Sequence, residues 1–581
     1  MIRPTRLFHN LSLSLLLASI FVIPTRAQAP VDPGQLPGRT SFYFFWHGAP
    51  SGEVRKNNSL YALWDDAEFA SARTAWLESF LDEAQSEKSS SKPKLSREDL
   101  VQYATLLDNA LLIGAIREPE SLAAKRTSAG GKDVPAWNGM FFIYDRSGKE
   151  ELLSKAVLRL RSEGTDIPKL TDLTVGGVAA LKIERKAGVT YWAEFGKYAV
   201  AAKEAPVFEQ IIQVLNGKST EAILAHAPGY LEAKPLLTGG VLEFFVAVPS
   251  LKEVALDPAN TPPPAKLFLS AIKLDSIHSI AGHVVLDGAK THLEGAVLGD
   301  TTPGSLFDIW ADGAANPASL PYVSPDTIYY SESQFNLPGI YQTLKHAFTQ
   351  GPNDTGQFFT AMESAAQTRL GMPLPDALAV PTGEIAWLQT SPTFEDSEKI
   401  YLFGIANKPA ALRLARTMLG DRISSEKNEG NTTYLKISLQ GGQSSSGVAQ
   451  WSFYSLAVTP SLLFGSSKTE VLRQYVNQSP AQDTPLAKNI LAVRARYPQK
   501  LNGFSYFDFQ KVDWPRLQAK WITEAKKSAE KAKSSDEAKT DKKFADWLSG
   551  VNPGVFPRHL HIMAGASWKD AKGVHFDEWL D

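Results

Sequence analysis

HSIAGHVVLDGAKTHLE at residues 278–294 and HIMAGASWKDAKGVHFD at residues 561–577 decide how this chain is read. Laid together without a gap, they share His278 with His561, Ala281 with Ala564, Gly282 with Gly565, Asp287 with Asp570 and His292 with His575. Glu294 meets Asp577, acid for acid. Chance gives about one identity over so short a stretch at ordinary residue usage. Self-similarity at a long period means one supersecondary design built twice, so it is weighed before any motif.

Working outward, residues 39–46 predict a buried strand, 59–87 an amphipathic helical region and 108–116 another strand. Residues 140–145 predict a strand, and 149–162 a helix with Leu152, Leu153, Ala156, Val157 and Leu160 on one stripe. Three short strands follow at 178–184, 190–195 and 198–203, then a helix at 205–215 and a strand at 241–248. The order β-α-β-β-β-α-β is ferredoxin-like with one strand added. It returns at 400–406, 408–419, 434–439, 451–456, 461–465, 468–476 and 504–509. The opening strands start at 140 and 400, 260 apart, and the glycines before the closing strands stand at 240 and 503, 263 apart. Upstream, residues 327–330 match 42–45.

The expected fold is therefore α+β: two tandem copies of one mixed module, with antiparallel sheets and helices packed on one face. The Pro/Ala-rich stretch 313–321 reads as the connector, giving halves 28–318 and 319–581. The run 520–543, rich in Lys, Glu, Ala and Ser, predicts a charged helical insertion with a solvated face. Residues 86–94 read as a Ser/Lys-rich linker.

The strand YLFGI (401–405) leading into the helix at 408–419, and SLLFGSS (461–467) leading into the helix at 469–476, resemble a family of exported bacterial proteins catalogued as a domain of unknown function. The resemblance covers about half of each repeat. It implies an exported α+β protein and brings no catalytic residues with it.

Arg3 and Arg6 precede the apolar run 11–23, and Thr25-Arg26-Ala27 offers small residues where a signal peptidase cuts. Thirteen residues span about 20 Å as a helix, short of a bilayer core of about 30 Å. Residues 1–27 are thus expected to be a signal peptide, and the mature chain to be exported, periplasmic or secreted, without a transmembrane segment. Losing three arginines and no acid takes the formal charge from −2 to −5. That leaves no global basic field for nucleic acid. Without cysteine there are no disulfides, thiol catalysis, iron–sulfur clusters or cysteine-bound zinc.

Asp287-Gly288 predicts a hairpin turn, and alternation on its strands puts His283, His292 and Glu294 on one face. Two imidazoles and a carboxylate have the chemistry of a zinc site or of a general base with its orienting acid. Against that stands a plain polar face, because Ala566 replaces His283 in the second copy. His278 is expected on the opposite face from His292 unless Gly282 carries a bulge. His559 and His561 alternate as a metal-binding strand would, with no third ligand in view. Gly217-Lys218-Ser219 resembles the end of a phosphate loop, but Ile212 stands where its first glycine belongs. The aromatics Tyr191, Trp192 and Phe195 answer to Trp451, Phe453 and Tyr454, and core packing accounts for them.

Two functions are carried forward. The first is a non-catalytic exported binding or scaffold protein for a protein, peptide or carbohydrate ligand, without a cofactor. The alternative is a periplasmic hydrolase or metal-dependent enzyme using His283, His292 and Glu294. The N-terminal reading is checked by mass spectrometry of the exported protein: the mature chain should begin at Gln28, and a form keeping Met1 would contradict it.

Overall fold

The computed structural model describes residues 32–70, 73, 102, 105–117, 139–155, 169–185, 188–219, 221–249, 276–302, 304–314, 316–350, 355–390, 399–438, 454–477, 484–531 and 535–581. The expected signal segment 1–27, the expected linker 86–94 and residues 451–453 fall outside them.

The first ten strands are β1 (Thr40–Trp46), β2 (Leu111–Ile116), β3 (Met140–Asp145), β4 (Lys169–Val175), β5 (Val178–Arg185), β6 (Gly188–Phe195), β7 (Tyr198–Ala202), β8 (Leu242–Ala247), β9 (Ile277–Asp287) and β10 (Lys290–Gly299). The remainder are β11 (Tyr329–Gln334), β12 (Pro381–Gln389), β13 (Lys399–Ile405), β14 (Ile423–Glu429), β15 (Thr432–Ile437), β16 (Ser455–Val458), β17 (Leu462–Ser466), β18 (Gly503–Asp508), β19 (Ile562–Lys569) and β20 (Gly573–Leu580). Together with the helices they make an α+β protein with one large antiparallel sheet.

From one edge, the strands lie in the order β4, β5, β6, β7, β3, β2, β1, β8, β9, β10. Strand β10 then pairs with β20. Beyond it come β19, β18, β11, β12, β13, β17, β16, β15 and β14. Adding ten to each number in the first half gives the second half read backwards. Buried residues match too: Tyr43 lies opposite Phe245, and Tyr330 opposite Tyr506. Tyr330 thus holds the place of Tyr43, two residues from where the alignment of 42–45 with 327–330 sets it.

Two expectations are corrected. The strand after the second helix does not return beside β3, as a ferredoxin-like unit requires, because β2 and β1 stand between β3 and β8. Both intervening strands carry apolar residues on both faces (LLIGAI and TSFYFFW), so they take central positions. Nor are the helices confined to one face. Helix Ala205–Leu215 packs on Phe141, Ile143 and Val200, whereas Leu153, in the described start of the 149–162 helix, packs on Tyr144 and Ala199. In the second half, helix Thr469–Asn477 covers Ile400, Leu402 and Phe464, and helix Lys408–Leu419 covers Ile405, Leu435 and Val458. Successive residues such as Tyr434 and Leu435 are both buried, so each face needs its own cover.

Strands β4 and β14 were not anticipated. Their sequences, KLTDLTV and ISSEKNE, are mostly exposed, so no burial writes a two-residue period into them. Each pairs on one side only among the described residues, and their charges blunt a free edge. The charged insertion forms parts of two helices, Trp514–Lys531 and Ser535–Ser549. Gln518 clamps the pair by donating to the carbonyls of Leu548 (2.5 Å) and Val551 (2.7 Å). Trp514 and Leu517 then bury against Ile328, Tyr329 and Phe507. No helix among the described residues is long and apolar enough to cross a membrane.

One ion pair is fully inside. Arg494 meets Glu332 on β11, with both side chains under a tenth exposed. Tyr330 donates to the same carboxylate, and Arg494 donates to the carbonyl of Ala314 at 2.8 Å. Removing one partner of such a pair leaves a buried charge, at a cost of about 3–5 kcal/mol. Arg494→Met should therefore lower stability by about that amount in urea denaturation, and adding Glu332→Leu should restore most of it. A loss under about 1 kcal/mol in the single variant would contradict this.

Candidate functional site at the seam

Residues directly opposite on paired strands point to the same face. The registers Glu243↔His283, His283↔Glu294 and Glu294↔Asp577 therefore set four polar side chains in one row across β8, β9, β10 and β20. The row crosses the seam where β10 meets β20. The first core cluster stops beside it at Ala281 and Ala296, and the second begins at Ala564, Ala566 and Trp579. His292 lies two residues along β10 from Glu294, so it shares that face.

His283, His292 and Glu294 thus come together as their alternation predicts. Asp577, from the second half, joins them. His283 is 7% exposed, and its Nδ1 stands 2.6 Å from the carbonyl oxygen of Leu236. A carbonyl only accepts, so Nδ1 carries a proton there. That Nε2 is 3.9 Å from Glu294 Oε2. His292 Nδ1 is 3.7 Å from Asp577 Oδ1, and both atoms are buried without a hydrogen-bond partner. Ligand atoms of His292, Glu294 and Asp577 all lie within 4.8 Å of one another.

The surroundings fix this cluster. Glu243, 4% exposed, is held by His47 Nε2 at 2.9 Å. Trp579, opposite His292, packs against two cations: Lys290 Nζ lies 4.5 Å and the Arg496 guanidinium 5.5 Å from its ring centre. Burial first, and then the Asp577 charge, push the Tyr497 hydroxyl above its ordinary range. His575 is the repeat partner of His292 but turns away from the seam. It stacks on Trp568 and places Nε2 3.0 Å from Asp570 Oδ2. Asp570 also accepts from the backbone amides of Lys572 and Gly573, as a turn residue does.

The other histidines go elsewhere. His559 ends the short helix Phe556–His559 rather than alternating with His561 on a strand. Its Nε2 is 2.8 Å from Asp66 Oδ2. That bond, ahead of the Glu68 amide, holds the Asp66 carboxyl below the usual carboxylate range. His561 is exposed, and its backbone bonds Asp581 and Phe509. His278 sits at the β-bulge opposite Leu298 and Gly299, whereas Gly282 pairs regularly with Gly295. His278 Nδ1 is 2.9 Å from Glu232 Oε2 at a cleft of about 300 Å3 lined also by Thr40, Tyr230, Phe245 and Pro249.

The sequence reading missed Asp577 and the His278–Glu232 cleft. Asp577 had a signal, since it aligns with Glu294: a residue on a two-fold axis of repeats faces its own counterpart. Glu232 had none, because only the fold brings helix Pro228–Ala233 over β9. No protein-family model, no curated protein and no solved structure matches the chain.

Proposed function

We propose that this chain is an exported, non-catalytic binding protein, made by duplicating one α+β module. The equal strand order of the two halves supports the duplication. Arg3, Arg6 and the run 11–23 support export. The observation behind binding is the cleft of about 300 Å3 beside His278 and Glu232. Its wall is chiefly apolar, with the imidazole–carboxylate pair supplying orientation, the usual make-up of a small-ligand site. Its chemistry suits a short peptide or sugar that lays an apolar surface on the wall and presents a donor to Glu232. A metal-dependent hydrolase using His283, His292 and Glu294 is the second reading, favoured by the convergence of His292 and Glu294 with Asp577.

Thermal unfolding of the mature chain against peptides and oligosaccharides tests the proposal. A ligand at 100 times its Kd stabilises by about 2.7 kcal/mol. At least one compound should raise Tm without being consumed, and Glu232→Gln should abolish that rise. Turnover of a panel member, or a rise untouched by Glu232→Gln, would overturn it.

A further inference from the structure

We propose that the seam cluster is a divalent transition-metal site, of the zinc class, that clamps the two halves together. Its ligands are His292 Nδ1 and the carboxylates of Glu294 and Asp577, with His283 standing beside Glu294. The site is separate from the cleft and does not depend on the function proposed for it.

The distances come first. Gaps of 3.7 Å (His292 to Asp577) and 3.9 Å (His283 to Glu294) are too long for hydrogen bonds. Zinc sits about 2.0–2.2 Å from nitrogen and oxygen ligands, so two ligands of one tetrahedral ion stand about 3.4 Å apart. The His292–Asp577 gap matches an ion held between those partners after small side-chain shifts.

The imidazoles come next. His283 is over nine-tenths buried, and its Nδ1–H is committed to the Leu236 carbonyl. Its Nε2 faces the Glu294 carboxylate at 3.9 Å. His292 Nδ1 and Asp577 Oδ1 are buried and otherwise unsatisfied, and such orphaned atoms need a partner.

The charges agree. Glu294 and Asp577 are directly opposite on neighbouring strands, where like charges destabilise a sheet. A doubly charged ion offsets both. An imidazole with two carboxylates suits zinc and its neighbours better than magnesium or calcium, which take oxygen alone. Two ligands come from the first half and Asp577 from the second, so the bound ion spans the seam.

The test uses the full mature chain, purified without a histidine tag and stripped with chelator. Calorimetry with zinc chloride should show one ion per chain, and cobalt(II) should give the visible bands of a tetrahedral nitrogen–oxygen site. Asp577→Asn and His292→Ala should each weaken zinc binding at least 100-fold, with circular dichroism confirming the fold. His559→Ala, away from the seam, should bind as the parent does. A parent chain that takes up no stoichiometric zinc overturns the proposal, whatever the variants do. So does zinc binding that survives in both Asp577→Asn and His292→Ala. Loss of zinc binding leaves the cleft's ligand response in place, so the two proposals fail separately.

Discussion

The pairing of β10 with β20, with Glu294 set opposite Asp577, governs the rest of the structure. Without it each half would expose a long unpaired strand, the kind of edge that recruits other chains. Eight residue pairs close that edge, from Thr291↔Leu580 to Leu298↔Gly573. Close approach there depends on glycine. A Cβ on Gly295 would run into the Phe576 ring and come within 2.7 Å of the Ala281 carbonyl, and one on Gly282 would meet the Glu294 carbonyl. Phe576 and Phe244 instead lie over these glycines, filling the room that absent side chains leave.

The same register explains why acids lie along the middle of the sheet. In the first half Glu243 on β8 is a buried carboxylate met by His47. In the second half it belongs to Glu332 on β11 and is met by Arg494. Between these ion pairs, at the seam, two carboxylates face each other with two imidazoles beside them. The apolar covers end on either side, so this is where the sheet can hold uncancelled charge close to solvent. Glu294, with nearly half its side chain exposed, opens the cluster outward.

Much of the fold was legible because burial writes periods into sequence. Helices Ala205–Leu215 and Lys408–Leu419 have the bounds their spacing predicts, and β3 runs over the expected 140–145. The edge strands β4 and β14 were hidden because exposed strands carry no such period. The one-faced helix layer failed because residues such as Leu456, Ala457 and Val458 are buried in succession, and sequence alone does not say what covers each side. Alternation placed His283, His292 and Glu294 on one face. It was blind to the Leu236 carbonyl that orients His283, and to Asp577 arriving from the far end of the chain.

The seam itself is open to a direct measurement, helped by a chain without cysteine. Val297 faces Val574 across it. Facing residues of antiparallel strands have Cα atoms about 4.5–5.5 Å apart, within reach of a disulfide. Mild oxidation of the Val297→Cys, Val574→Cys double variant, followed by non-reducing mass spectrometry of the monomer, should show a single internal crosslink between the halves. Free thiols, or crosslinks only between separate chains, would mean that β10 and β20 are not partners and that the two halves do not share one sheet.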